Sequence, residues 1–165
     1  MKPWVLCIVG PSGSGKTLVA SALIRSLSGR GYRIAAVKHS PHGYRLDVPG
    51  KDSDRLKSAG AVRVGLVSPR EWAALEQASE ATTLESMADR LGEGCDLVIA
   101  EGFRTSSAPK ILVLRQPMDP TWRQPDGVIA VVCDEPVAGA SWQCGFHELE
   151  RLAEWLCDRF PRGGS

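Results

Sequence analysis

Gly10-Pro11-Ser12-Gly13-Ser14-Gly15-Lys16-Thr17 fits the pattern G-x-x-x-x-G-K-[ST] at every fixed position. A chance glycine-rich turn is the alternative, but the flanks favour a phosphate-binding loop. Trp4 to Val9, just before it, is a short apolar run rich in β-formers, as a buried parallel strand requires. After it, Val19, Ala20, Leu23, Ile24 and Leu27 recur at helical spacing from Lys16 to Leu27, and Gly29 and Gly31 stop the helix. Glycines let main-chain N–H groups point into one concavity, and the helix aims its positive end at the same place. Lys16 is then placed to reach the β- and γ-phosphates, and the Thr17 hydroxyl to help hold Mg²⁺. Leu18, next on the helix, closes the nucleotide-binding run.

Working outward, strands are predicted at Arg33 to Val37, Val62 to Val67, Asp96 to Ala100, Lys110 to Leu114 and Val128 to Val132. Lys51 to Ala59 reads as a short helix, and Glu71 to Gln77 is open between strand and helix. Thr82 with Glu85 three residues on is a capping box, starting a helix that runs to about Leu91. Phe146, Leu149, Leu152, Ala153, Leu156 and Phe160 mark an amphipathic C-terminal helix, followed by a frayed tail at residues 161–165. Strands alternating with helices predict an α/β fold of P-loop NTPase architecture. Its sheet is mostly parallel and twisted, with helices on both faces, and residues 1–165 form a single domain.

Composition narrows the partners. The 165 residues carry 20 basic and 19 acidic side chains, interspersed, so the net charge of +1 implies neither a nucleic-acid footprint nor a membrane-seeking surface. No apolar run approaches the roughly 18 residues of a membrane span. The N-terminal run reads as a strand rather than a secretory leader. Five cysteines without a C-x-x-C suit reduced thiols in the cytoplasm.

A P-loop needs a carboxylate at the tip of a neighbouring strand. Asp96-Leu-Val-Ile-Ala-Glu101 supplies it: Glu101 falls at the strand's C-terminal end, where ligands bind in open α/β sheets, and Asp96 at its start is a structural cap. Glu101 is either a functional acid, touching the metal through water or positioning water, or a solvated loop carboxylate. The polar stretch His39 to Gly50 offers Asp47 as a second Mg²⁺ or substrate carboxylate. His39, Lys51 and Arg55 are candidates to face phosphates, or belong to a solvated loop. His39 and His42 lack the further Cys or His of a zinc site. Lys110 and Arg104 are open between anion contacts and surface charges.

Together, Gly10 to Thr17, Val37-Lys38-His39 with Asp47, Gly50-Lys51-Asp52-Ser53, Ala59-Gly60-Ala61, Asp96 to Phe103 and Pro109-Lys110-Ile111 resemble the molybdopterin-guanine dinucleotide biosynthesis adaptor family, MobB. The resemblance runs from the first strand to about residue 115. Pro41, in a stretch often richer in His, and Arg104, where Lys is common, depart from the pattern. The resemblance implies a dimeric, cytoplasmic GTP-binding protein with slow hydrolysis. Such a protein assists the guanylyltransferase that attaches GMP to molybdopterin. Gly13, Gly15, Lys16 and Thr17 map onto its phosphate site, and Asp47 and Glu101 onto its acidic positions, with Mg²⁺ as cofactor. GTP comes from the family, because no Asn-Lys-x-Asp motif is present. Asp134, ending the Val128 to Cys133 run, is the positioned substitute for a guanine contact, or else a strand-end turn residue.

Two other classes share the loop. A small-molecule kinase using ATP would close an arginine-bearing lid. Arg115 and Arg123 flank the stretch Gln116 to Asp126, which is short for one and has no clear helix. A metal-insertion accessory GTPase would need a Cys/His ligand cluster, which the sequence lacks.

Overall fold

The computed structural model describes residues 2–41, 43, 50–79, 82–115 and 123–163. The chain divides into two compact units, Met1–His39 with Leu84–Ser165 and Ser40–Thr83. The first is built on β1 (Trp4–Val9), α1 (Lys16–Gly29), β2 (Ile34–Lys38) and, after the second unit, α3 (Leu84–Leu91), β5 (Leu97–Glu101), β6 (Lys110–Val113), β7 (Val128–Val132), β8 (Gln143–Cys144) and α4 (Leu149–Arg159). Its strands stand in the order β2-β5-β1-β6-β7-β8, and every pairing is parallel.

Alternation along β1 decides what each face meets. Leu6 and Ile8 join Leu97, Ile99 and Ile111 under Val19, Leu23 and Leu27 of α1 and Leu152 and Leu156 of α4. Cys7 and Val9 point the other way, with Ala100, Leu112 and Val131, against Leu84 of α3. The expected helices on both faces are therefore present. A fully buried leucine contributes roughly 1.5–3 kcal/mol, so the α1 face dominates the stability of this unit. On the α3 side the helix begins at Leu84, one residue later than a Thr82 N-cap implies, and the Thr82 hydroxyl accepts the Ser79 N–H at 3.0 Å.

The second unit holds α2 (Asp52–Ser58) and an antiparallel hairpin of β3 (Arg63–Val67) and β4 (Trp72–Glu76), closed by an Arg63–Glu76 ion pair at 3.1 Å. The segment that the sequence leaves open is thus a strand. The Ser68 hydroxyl turns the chain there by accepting the Glu71 N–H at 3.1 Å.

Asp96 is the structural residue its position suggests. Its carboxylate accepts the N–H of Arg33 at 2.8 Å and of Gly163 at 3.0 Å, and those bonds, Arg33 foremost, hold its pKa below the ordinary 3.8. Pro161 is tied as well, its carbonyl accepting Trp4 Nε1 at 3.3 Å, so residues 161–163 are anchored where fraying was expected. Asp96→Ala should lower unfolding free energy by about 1 kcal/mol, read as a lower urea midpoint. The loss should be present at neutral pH and vanish as pH falls through the depressed carboxyl pKa, where the native carboxylate is protonated too. An unchanged midpoint would show that the carboxylate does not hold the tail.

Candidate functional site

The loop from Gly10 to Gly15 joins the end of β1 to α1, and three of its glycines have positive φ: 155° at Gly10, 74° at Gly13 and 97° at Gly15. Gly10 is glycine because a Cβ would stand 2.1 Å from the Val113 carbonyl and 2.8 Å from Ser14 Oγ. Gly13 faces open space and is required by its dihedral alone. Pro11 supplies a carbonyl that accepts the Ser14 N–H at 3.3 Å, and Ser12 and Gly13 lie exposed at the crest. Ser14 is buried, and its hydroxyl is the one buried side-chain polar atom without a partner among the described residues. A hydroxyl in that condition inside a glycine loop at a helix N-terminus fits an incoming phosphate oxygen.

Lys16 folds back over this loop. Its Nζ donates to the carbonyls of Gly10 at 3.1 Å and Pro11 at 2.6 Å. Burial pushes its pKa below the ordinary 10.5, with Glu101 opposing that shift and Lys38 adding to it. Thr17 donates its hydroxyl to Glu101 Oε2 at 2.7 Å, and Lys38 pairs with Glu101 Oε1 at 3.2 Å. The sequence-predicted acid and the P-loop hydroxyl are thus brought together, because β5 lies beside β1 with Ile8 opposite Glu101. A hydroxyl and a carboxylate are hard oxygen donors, the kind Mg²⁺ takes alongside substrate phosphates, so the residues fit that ion. Leu18 is 51% exposed on the first turn of α1.

The remaining predicted residues are spread more widely. Asp47 and His42 lie outside the described residues. The His39 N–H donates to the Glu101 carbonyl at 2.9 Å, and its ring lies 5.0 Å from that of Phe103, tilted by 36°. Lys51 and Arg55 belong to the second unit, Lys51 at the N-cap of α2 and Arg55 in its last turn. Lys110 is neither surface charge nor exposed anion contact. It is 2% exposed, and its Nζ is bonded to the carbonyls of Ser106 and, at 3.1 Å, Ala108. It closes the turn that leads into β6. The Arg104 guanidinium donates to the Arg123 carbonyl at 2.5 Å. Asp134 stands past the end of β7, where its Oδ1 accepts the Phe146 N–H at 2.8 Å, with His147 Nδ1 at 4.0 Å.

Two residues that sequence reading did not connect with the site also border the loop. A Cβ on Gly15 would stand 3.1 Å from the Phe146 ring and 3.5 Å from Arg115 Nε. The Arg115 guanidinium lies 4.4 Å above the Phe146 ring centroid. The only signal in the sequence was that both follow strands that end at the loop's level.

A parallel sheet with a glycine loop between its inner strand β1 and a helix, and an acid at the tip of the adjoining strand, defines the P-loop NTPase fold. Comparison with known proteins narrows this. The family profile of MobB, molybdopterin guanine dinucleotide synthesis protein B, matches residues 5–134. A molybdopterin-guanine dinucleotide biosynthesis adapter protein of Haemophilus influenzae is 38% identical over 154 residues, covering 92% of this chain and 86% of the relative. The adapter protein of the same description from Escherichia coli is 31% identical over 163 residues, covering 93% and 91%. A crystal structure of molybdopterin-guanine biosynthesis protein B superposes with a TM-score of 0.76 at 34% identity, covering 94% of this chain and 98% of the other. The chain belongs to the MobB family.

Proposed function

We infer that the chain binds GTP with Mg²⁺ and serves as an adapter in molybdopterin-guanine dinucleotide biosynthesis, at the step that attaches GMP to molybdopterin. The observation that carries the nucleotide reading is the loop itself: an orphaned Ser14 hydroxyl, Lys16 poised on the loop carbonyls, and Thr17 joined to Glu101. The adapter role rests on the names of relatives that align over most of this chain. Ser14 and the loop N–H groups would hold the phosphate oxygens, and Lys16 would neutralise the β- and γ-phosphates. Thr17 and Glu101 would hold Mg²⁺ among the phosphates, with Asp47 as a further carboxylate; the ion supplies charge neutralisation there. Hydrolysis would be slow, because Glu101 is tied to Thr17 and Lys38, and the Arg115 guanidinium is engaged over the Phe146 ring.

The partners in this reading are the guanylyltransferase, molybdopterin and a second copy of the chain, in the cytoplasm and away from nucleic acid. Val67 and Trp72, opposite each other in the hairpin and 86% and 74% exposed, offer apolar surface for a protein contact. No helix among the described residues is long and apolar enough to cross a membrane.

Calorimetric titration with GTP and then ATP, each with Mg²⁺, tests the nucleotide. A clear preference for GTP is expected. Equal affinity or an ATP preference would favour the small-molecule kinase instead. Glu101→Gln should keep GTP affinity within a few-fold and lose Mg²⁺-dependent turnover. Turnover unchanged from the parent protein would reduce Glu101 to a structural residue.

A further inference from the structure

On the side of the loop away from Glu101, Arg115 and Phe146 form a pair that the phosphate chemistry leaves unused. Arg115 is exposed, and its guanidinium carbon lies over the half-buried Phe146 ring, 4.4 Å from the centroid. The pair is fixed rather than incidental. Asp134 Oδ1 holds the Phe146 N–H at 2.8 Å, Glu148 Oε2 holds the Gly145 N–H at 2.9 Å, and both Arg115 and Phe146 lie close to the Gly15 backbone.

Sheet order gives the ligand a direction. Thr17 and Glu101 mark the metal end, on the β5 side of β1. A triphosphate crossing the loop from that end carries its nucleoside toward the tips of β6, β7 and β8. Arg115, Asp134 and Phe146 follow those three strands. Resting on the nucleotide reading above, we propose that the outer face of the Arg115 guanidinium, backed by Phe146, is the stacking platform for the nucleobase, with the Asp134 carboxylate at its edge. A guanidinium is planar and weakly hydrated, so it stacks well on π-systems. Phe146 backs the guanidinium on one side and leaves the other side to the base. Its charge also suits the electron-rich face of a purine. Lysine would keep the charge and lose the plane.

The test is calorimetry on the full chain with Mg²⁺, comparing GTP with inorganic tripolyphosphate, which lacks base and sugar. Arg115→Ala is expected to weaken GTP roughly tenfold, in line with the loss of one stacked base, and to leave tripolyphosphate within about threefold. Arg115→Lys should behave like the alanine variant. Unaltered tripolyphosphate binding also certifies that each variant is folded. Equal losses for both ligands would make Arg115 a phosphate contact and overturn the proposal, as would full GTP affinity in either variant. Failure of the nucleotide reading looks different: the parent protein would bind neither ligand, or Lys16→Ala would leave both unchanged.

Discussion

Lys16→Ala is expected to weaken GTP binding by roughly 10²–10⁴-fold while leaving the protein folded. Charge-assisted hydrogen bonds contribute roughly 1.5–3 kcal/mol each, and Lys16 is placed to make two of them to the phosphates. The fold tolerates the loss because the side chain sits on the loop surface, bonded to the Gly10 and Pro11 carbonyls, which water can solvate once the ammonium is gone. Titration calorimetry beside a thermal melt separates the two effects. Affinity within threefold of the parent protein would remove the loop as the binding site. The same residue gives a pH signature. Burial lowers its pKa, so keeping it charged costs the folded state stability at low pH, and that cost is relieved as pH rises through the folded pKa. Nucleotide binding needs the charge, so GTP affinity should fall in the same window, which begins below the 10.5 of an ordinary lysine. Affinity flat through that window would mean that Lys16 does not carry the interaction.

Gly10→Ala is the second large effect, and it acts on the backbone. The new Cβ would come 2.1 Å from the Val113 carbonyl, a main-chain atom of β6 that cannot swing aside as a side chain would. The φ of 155° adds strain. Overpacking and strain together cost roughly 3–5 kcal/mol, which for a chain of this size lowers Tm by about 10 °C. The same shift would pull the loop off the β1–β6 seam and remove nucleotide binding. Gly13→Ala is the control. It faces open space, so only its φ of 74° opposes alanine, at roughly 1 kcal/mol. If the two variants melt within a degree of each other, the β1–β6 contact is not what demands glycine at position 10.

The readable parts of this molecule are those in which chemistry depends on neighbours in sequence. The strand, glycine loop and helix from Trp4 to Gly29 were legible because dihedral demand, helix periodicity and phosphate chemistry all fall within one stretch. Glu101 was legible because a strand's end is a fixed place in a parallel sheet. Lys110 was not: its partners, the Ser106 and Ala108 carbonyls, belong to a turn whose geometry no spacing reveals, and a lysine before an apolar strand looks like surface. Strand β8 escaped because two residues, Gln143 and Cys144, carry no periodicity. Arg115 and Phe146 are 31 residues apart in sequence and meet only because β6 and β8 end at the same level, so the sequence offers no cue that joins them.

The position of β1 in the sheet also orders events in time. Made before either neighbour, it pairs on one side with β5, Trp4 opposite Leu97, and on the other with β6, Val9 opposite Leu112. On a ribosome adding roughly 5–20 residues per second, the first strand therefore waits about 5–20 s for its neighbours. Through that interval Leu6, Ile8 and the apolar face of α1 have no sheet to enter. A nascent chain halted before β6 carries the whole glycine motif and still lacks the carbonyl of Val113 that backs it. The phosphate loop is thus complete in sequence about a hundred residues before the strand that backs it has been made.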